Sequence, residues 1–176
     1  MGELVDFITG KTIKDTHDER YRQKIARFLV ENKGFQREEI EANRELYVKA
    51  DEKCAIIKID FLISVTEKCA MIVKYGPGSL VTRHRPALAA GRLIAPYQIP
   101  LVVVTNGERA DILDGKTGKV LGSELEQIPS HKELTIQIDQ FPFIPISQQR
   151  AEWESRIVYA FEVDGSCPCD DTICRL

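Results

Sequence analysis

The 176-residue chain predicts a single α/β domain, and three observations carry that reading. Tyr21, Ile25, Phe28 and Leu29 recur at helical spacing behind a Thr16–Glu19 capping pattern. Ile57, Ile59 and Phe61 alternate with Lys58, Asp60 and Leu62, and the chain returns as a second strand-like run from Cys69 to Tyr75. An alanine- and leucine-rich segment from Pro86 to Ala95 is followed by the apolar run Ile99 to Thr105, which reads as helix then buried strand. At 43% hydrophobic and 29% charged, the chain can bury one sizeable core and is too short for two comfortable ones.

The elements follow in order. A first helix runs from about Asp18 to Lys33, stopped by Gly34. Arg37 to Asn43 is polar and acidic, and reads as a short helix or turn. Glu45 to Lys49 gives a first strand, Cys54 to Ser64 a second and Cys69 to Tyr75 a third, with Thr66-Glu67-Lys68 as the turn of a hairpin. The helix from Pro86 to Ala95 places Pro86 in its first turn, where a missing N–H costs nothing. Asp111-Ile112-Leu113 and Lys119-Val120-Leu121 flank a turn-rich segment and predict a second hairpin. Ser130 and Glu133 repeat the capping pattern before a helix at 132–138. Phe141 to Ile146 is an apolar extended linker, and Ser147 to Glu162 is a last helix with Trp153, Ile157 and Ala160 on one face. The organisation expected is an α/β domain over 1–146, with a C-terminal helix and cysteine-bearing tail over 147–176 resting on it.

Composition excludes several classes. No apolar run approaches a membrane span. The acidic start, Met1-Gly2-Glu3-Leu4-Val5-Asp6, lacks a signal layout, and Asp6 stands where myristoylation wants a hydroxyl residue. Five cysteines are an odd number without a secretory signal, which disfavours a disulfide framework. The expectation is a soluble, cytoplasmic protein without a membrane partner.

Charge is segregated. The forty residues from Lys68 to Gly107 contain no aspartate or glutamate but hold Lys68, Lys74, Arg83, Arg85 and Arg92. With +5 in that window and −3 overall, the rest of the chain carries −8. A local field of this kind steers a polyanion regardless of net charge. Gly76, Gly78 and Ser79 open a loop that lets backbone amides approach a phosphate, and Arg83, His84, Arg85 and Arg92 supply charge and bidentate donors. The bland alternative is a solvated basic arm. A dedicated nucleotide loop is disfavoured, because Gly76-Pro77-Gly78-Ser79 lacks the Gly-Lys-Ser/Thr ending.

The order helix, three strands, helix, strand resembles the restriction-endonuclease-like core of nucleases with a PD-(D/E)xK signature. Asp60 lies in the second strand, Lys74 in the third with Pro77-Gly78 just after it, then come a helix and a strand ending in Thr105-Asn106-Gly107. That series, over roughly Asp18 to Leu113, is similar to the N-terminal domain of the type I restriction enzyme R subunit. Glu19 matches the acid such domains often carry in the first helix. The resemblance implies Glu19, Asp60 and Lys74 as a catalytic set, with Asp60 and Glu19 holding Mg²⁺, and Asn106 among the nucleic-acid contacts. Mg²⁺ takes oxygen ligands, generates the nucleophile and neutralises phosphate charge. The family pattern places an acid at position 72, on the same strand face as Lys74; this chain has Ile72. Taken without the resemblance, Glu19 reads as the capping partner of Thr16, Asp60 as the polar side of a strand, Lys74 as a solvated charge and Asn106-Gly107 as a turn.

Cys167, Cys169 and Cys174 place three thiols in eight residues, one ligand short of a Zn²⁺ or iron–sulfur site. Cys54 and Cys69 read as small buried hydrophobes. Three functions result: a DNA-associated, nuclease-like domain with Mg²⁺-dependent phosphodiester hydrolysis at a degenerate site; a non-catalytic nucleic-acid-binding or assembly module; and a metal or thiol sensor. The chain is expected to act alone, form a homo-oligomer or serve a separate partner subunit.

Overall fold

The computed structural model describes residues 2–163 and the short strand Cys174–Arg175. It opens with an antiparallel hairpin of β1 (Glu3–Val5) and β2 (Thr12–Lys14) that the sequence reading did not anticipate. Each arm has three residues, too few for an alternation pattern to register. Helix α1 (His17–Arg27) follows, with Thr16 Oγ1 accepting from Glu19 N at 3.2 Å, and runs on as a π-helical turn over Phe28–Asn32. Gly34, at φ 76°, ends it where the sequence placed the stop.

The main sheet comprises β3 (Ile40–Ala50), β4 (Lys53–Val65), β5 (Lys68–Tyr75), β6 (Leu101–Thr105), β7 (Ala110–Asp114) and β8 (Val120–Gly122), in that spatial order. β3, β4 and β5 are antiparallel neighbours. β6 returns parallel to β5 through α2 (Val81–Leu93), and β7 and β8 close the edge as an antiparallel hairpin. Helices α3 (His131–Gln137) and α4 (Gln148–Glu162) complete the order, and β9 (Cys174–Arg175) runs parallel to β4 at Ala55–Ile56. The α/β core of helix, strands, helix and strand, followed by C-terminal helices, is the architecture the sequence predicts.

The sheet has a core on each face. On one, Ile25 and Ala26 of α1, Leu29 of the π-helical turn and Leu134 of α3 meet Phe61, Ile63, Met71, Val73 and Val103. On the other, Ala87 to Ala90 of α2 and Val158 of α4 meet Ile57, Ile59, Ile72, Val102 and Val104. β4 contributes Ile57 and Ile59 to the second core but Phe61 and Ile63 to the first, although residues two apart normally share a face. The change of side falls at Asp60. Ala42 pairs with Phe61 and Arg44 with Ile59, but Asn43, at φ 56°, and Asp60 between them form no bridge. The strand is re-aimed at the residue that carries the carboxylate, which is where sheet irregularities serve a site.

Two boundaries and one helix face differ from the sequence reading. The first strand begins at Ile40 rather than Glu45, because Arg37–Glu39 forms only one 3₁₀ turn. Helix α2 begins at Val81, leaving Pro86 inside it. Its first turn is exposed, so the carbonyl that the proline cannot serve stays solvated. In α4 the inward face is Glu154 and Val158, whereas Trp153 is 61% exposed. Trp153 therefore points away from the core, contrary to the spacing argument, because the helix turns a glutamate inward instead.

Candidate functional site

Glu19, Asp60 and Lys74, far apart in sequence, line one 420 Å³ cleft with Arg22, Asn43, Lys58, Arg83 and Glu162. The folding logic is local. α1 lies against the first core through Ile25 and Ala26, which leaves Glu19 and Arg22 on the side facing β4. Tyr21 stacks on Tyr75 with ring centroids 5.9 Å apart. Gly107, at φ 86°, sits under Tyr21, where a Cβ would lie 2.3 Å from a ring carbon. The Thr-Asn-Gly segment thus holds α1 against the end of β5.

Asp60 is 7% exposed and both its oxygens are engaged. Arg22 Nε donates to Oδ1 at 2.6 Å, and Tyr75 N donates to Oδ2 at 2.8 Å. Arg22 also lies 3.6 Å from Glu19 Oε2 through Nη1, so one guanidinium bridges the two carboxylates. Burial works to lower the Arg22 pKa, but the charges of Asp60 and Glu19 and the bond to Asp60 raise it overall. Glu19 does not complete the capping box: its other oxygen accepts from Gln23 Nε2 at 2.9 Å. Its carboxylate serves the cleft side of the helix, not the cap.

Lys74 is 9% exposed, not a solvated strand end. Its Nζ donates to Glu162 Oε2 at 3.1 Å and to the Lys58 carbonyl at 3.2 Å. Arg83 lies across Gly76, where a Cβ would meet the guanidinium at 2.4 Å, and donates to the Pro77 carbonyl at 3.0 Å. The Gly76 amide donates to the Thr105 carbonyl, so this glycine serves the approach of Arg83 rather than a phosphate. The cleft is lined by four cations (Arg22, Lys58, Lys74, Arg83) and three carboxylates (Glu19, Asp60, Glu162).

The other basic residues are elsewhere. His84 Nε2 lies 2.7 Å from Asp111 Oδ2. Arg92 is 6% exposed and donates to Glu154 Oε1 at 2.8 Å, turned into the protein rather than toward a polyanion. Burial lowers its pKa, and the charges of Arg150 and Arg85 lower it further, against the pull of Glu154. Arg85 keeps 45% of its side chain exposed while its Nη1 lies 3.2 Å from Glu154 Oε2. The acid-free window is therefore served by an acid from α4. Asn106 Oδ1 accepts from Glu108 N and Arg109 N at 3.0 and 2.9 Å, an Asx-type turn.

The cleft residues that sequence reasoning missed are Arg22, Asn43, Lys58 and Glu162. Arg22 had a signal, since it stands three residues after Glu19 on the same helical face. Asn43 and Glu162 had none, because only the sheet register and the seating of α4 bring them to Asp60 and Lys74.

The donor set fits Mg²⁺ poorly as arranged. An octahedral cation needs carboxylate oxygens free to turn toward it. Both Asp60 oxygens are bonded, a guanidinium lies between Asp60 and Glu19, and Ile72 is fully buried against α2 and β6. Among the described residues, no group of three or more His, Cys, Asp or Glu is placed to hold a metal ion. Cys167 and Cys169 lie outside the described residues, and Cys174 is described only as backbone in β9. Cys54 and Cys69 are half-buried free thiols, and burial pushes the Cys69 pKa up to about 11. No helix among the described residues is long and apolar enough to cross a membrane.

Residues 17–129, more than half of the chain, match the family model described as the type I restriction enzyme R protein N terminus (HSDR_N). That span contains the whole of α1 through β8 and every cleft residue except Glu162. No curated protein and no solved structure shows significant similarity to the chain.

Proposed function

The chain belongs to the type I restriction enzyme R protein N-terminus (HSDR_N) family, and from that premise we propose that it is a nuclease-like domain that binds DNA without cleaving it. One observation carries the reading. The Arg22 guanidinium bridges Asp60 and Glu19, in a chain whose position 72 is a buried isoleucine. In a metal-dependent nuclease the space between such carboxylates belongs to the cation that activates water. An arginine there ties up the same two acids and offsets one of their two negative charges, but generates no hydroxide. The cleft keeps what a phosphodiester needs for binding: Lys74 and Arg83 at its wall, and one more cation than carboxylates overall. The protein therefore acts as a DNA-associated or assembly module on a nuclease-like frame.

A second reading rests on Glu162. It brings a third carboxylate to the cleft from α4, next to Lys74, and supports residual Mg²⁺-dependent hydrolysis in which the missing acid has moved to another element. One experiment separates the two. Supercoiled plasmid is incubated with the protein and Mg²⁺ or Mn²⁺, beside an anisotropy titration of a duplex at low salt. Binding without nicking is the expected result. Nicking that Asp60→Ala and Glu162→Gln both abolish would replace the first reading with the second.

A further inference from the structure

The geometry points to a second nucleic-acid contact, for an unpaired base and its phosphate, at the junction of α2 and the first turns of α4. It goes beyond the cleft and uses none of its residues. It also lies largely outside the family match, since α4 begins at Gln148 and the match ends at residue 129.

The starting point is an imbalance of buried charge. Glu154 is fully buried, and three guanidiniums converge on it. Arg92 Nη1 and Arg150 Nε reach Oε1 at 2.8 and 2.6 Å, and Arg85 Nη1 lies 3.2 Å from Oε2. One carboxylate cannot neutralise three cations, so the cluster keeps a surplus of two positive charges. Arg92 is buried and spends a further donor on the Lys116 carbonyl. The surplus thus reaches solvent through Arg85 and Arg150, whose side chains are 45% and 51% exposed. Each guanidinium has five donors, and neither makes another acceptor contact among the described residues.

Those two arginines line a 350 Å³ pocket together with Ser147, Gln149 and Trp153. Trp153 is 61% exposed, beside a fixed positive charge. An indole face next to two guanidiniums matches a nucleotide unit. The base stacks on the ring, and the phosphate takes the unspent donors in the fork geometry that arginine offers. Stacking needs a base that is not already paired, so the ligand is single-stranded nucleic acid rather than duplex. Base–aromatic contacts of this kind contribute about 1–3 kcal/mol each and tolerate any sequence.

The chain has one tryptophan, so its intrinsic fluorescence reports on this surface directly. The full-length protein is titrated at low salt with a short deoxythymidine oligonucleotide, and separately with inorganic phosphate. The expected result is a saturable quench by the oligonucleotide that phosphate alone does not produce. In R85A/R150A the affinity read from that quench should fall at least about tenfold, since two charge-assisted contacts are lost. Alanine removes partners from buried Glu154, so R85K/R150K, which keeps the charge but not the fork, is measured beside it and should fall in between. Lys74→Ala, in the cleft, should leave the quench unchanged, which separates failure here from failure of the duplex-binding reading. No quench at low salt, or a quench of undiminished affinity in both double variants, would overturn the proposal.

Discussion

Arg22 Nε donates to Asp60 Oδ1 at 2.6 Å, with 29% of the arginine side chain and 8% of the aspartate side chain exposed. The pair spans 38 residues of sequence and fastens α1 to the point where β4 changes sides. Removing one partner of a buried pair leaves the other charge uncompensated, which costs about 3–5 kcal/mol when burial is complete. Arg22 retains some solvent, so Arg22→Ala should cost less, about 2–3 kcal/mol in a urea titration. The informative part is the response to metal. With the guanidinium gone, Asp60 and Glu19 are free to attract a divalent ion. Mg²⁺ should then raise the melting temperature of the variant and leave that of the wild type where it was. An equal rise in both would mean that Arg22 does not compete for the metal position.

Position 72 offers a complementary test. Ile72 is fully buried, and its Cδ1 would lie 3.3 Å from a Cβ at Gly91. Ile72→Glu puts a carboxylate among Val102, Leu88 and Leu62, with no cation given to it. The expected loss is at least about 3 kcal/mol at neutral pH, the scale for a buried unpaired charge. It should shrink in acid, where the carboxyl is neutral. Recovery of the lost stability on adding Mg²⁺ would instead mean that the new side chain has turned into the cleft and completed a metal site.

Salt dependence separates the arginines of the acid-free window. Each phosphate contact contributes a slope of about −0.9 in log K against log salt on duplex DNA. Arg83 lines the cleft, so Arg83→Ala should reduce the slope by about 0.9. Arg92 is buried on Glu154, so Arg92→Ala should lower stability and leave the slope alone. Anisotropy titrations over a salt series read both. A change of slope in Arg92→Ala equal to that in Arg83→Ala would remove the distinction.

The sequence made the frame legible because the frame rests on short-range patterns. Thr16, the alternation through Ile57 and Phe61, the apolar run before Thr105 and the Ser130–Glu133 box each report on neighbours a few residues away. It made half the cleft legible, since Glu19, Asp60, Lys74 and Arg83 line it together. The partners that α4 supplies could not be read. Glu162 reaches Lys74 across 88 residues, and Glu154 reaches Arg92 across 62. Periodicity predicts that one face of α4 is buried, but a buried glutamate held by three arginines defeats the rule that picks the apolar face, and Trp153 stands outside.

The N-terminal hairpin, invisible to pattern reading, carries a buried carboxylate at its turn, and this gives a pH test. Asp6 is 3% exposed. It accepts from Thr9 N at 2.6 Å, Thr9 Oγ1 at 2.8 Å and Gln23 Nε2 at 2.8 Å. Burial works to raise its pKa, but these bonds outweigh burial and hold it below the ordinary value of 3.8. A carboxyl whose folded pKa is depressed stabilises the fold above its unfolded pKa, and that contribution is lost as pH falls through the folded value. Asp6→Asn removes the charge and turns an amide NH₂ toward Gln23 Nε2. Gln23 cannot simply flip, because its Oε1 already accepts from Phe7 N at 2.6 Å. The cost should be about 1–2 kcal/mol at neutral pH, the scale of one unsatisfied buried polar contact. Urea titrations of both proteins from neutral pH to about pH 3 should show the gap narrowing only below the 3.8 of a free aspartate. A gap that stayed constant to the acid end would assign the effect to packing of the hairpin on α1 rather than to the charge on Asp6.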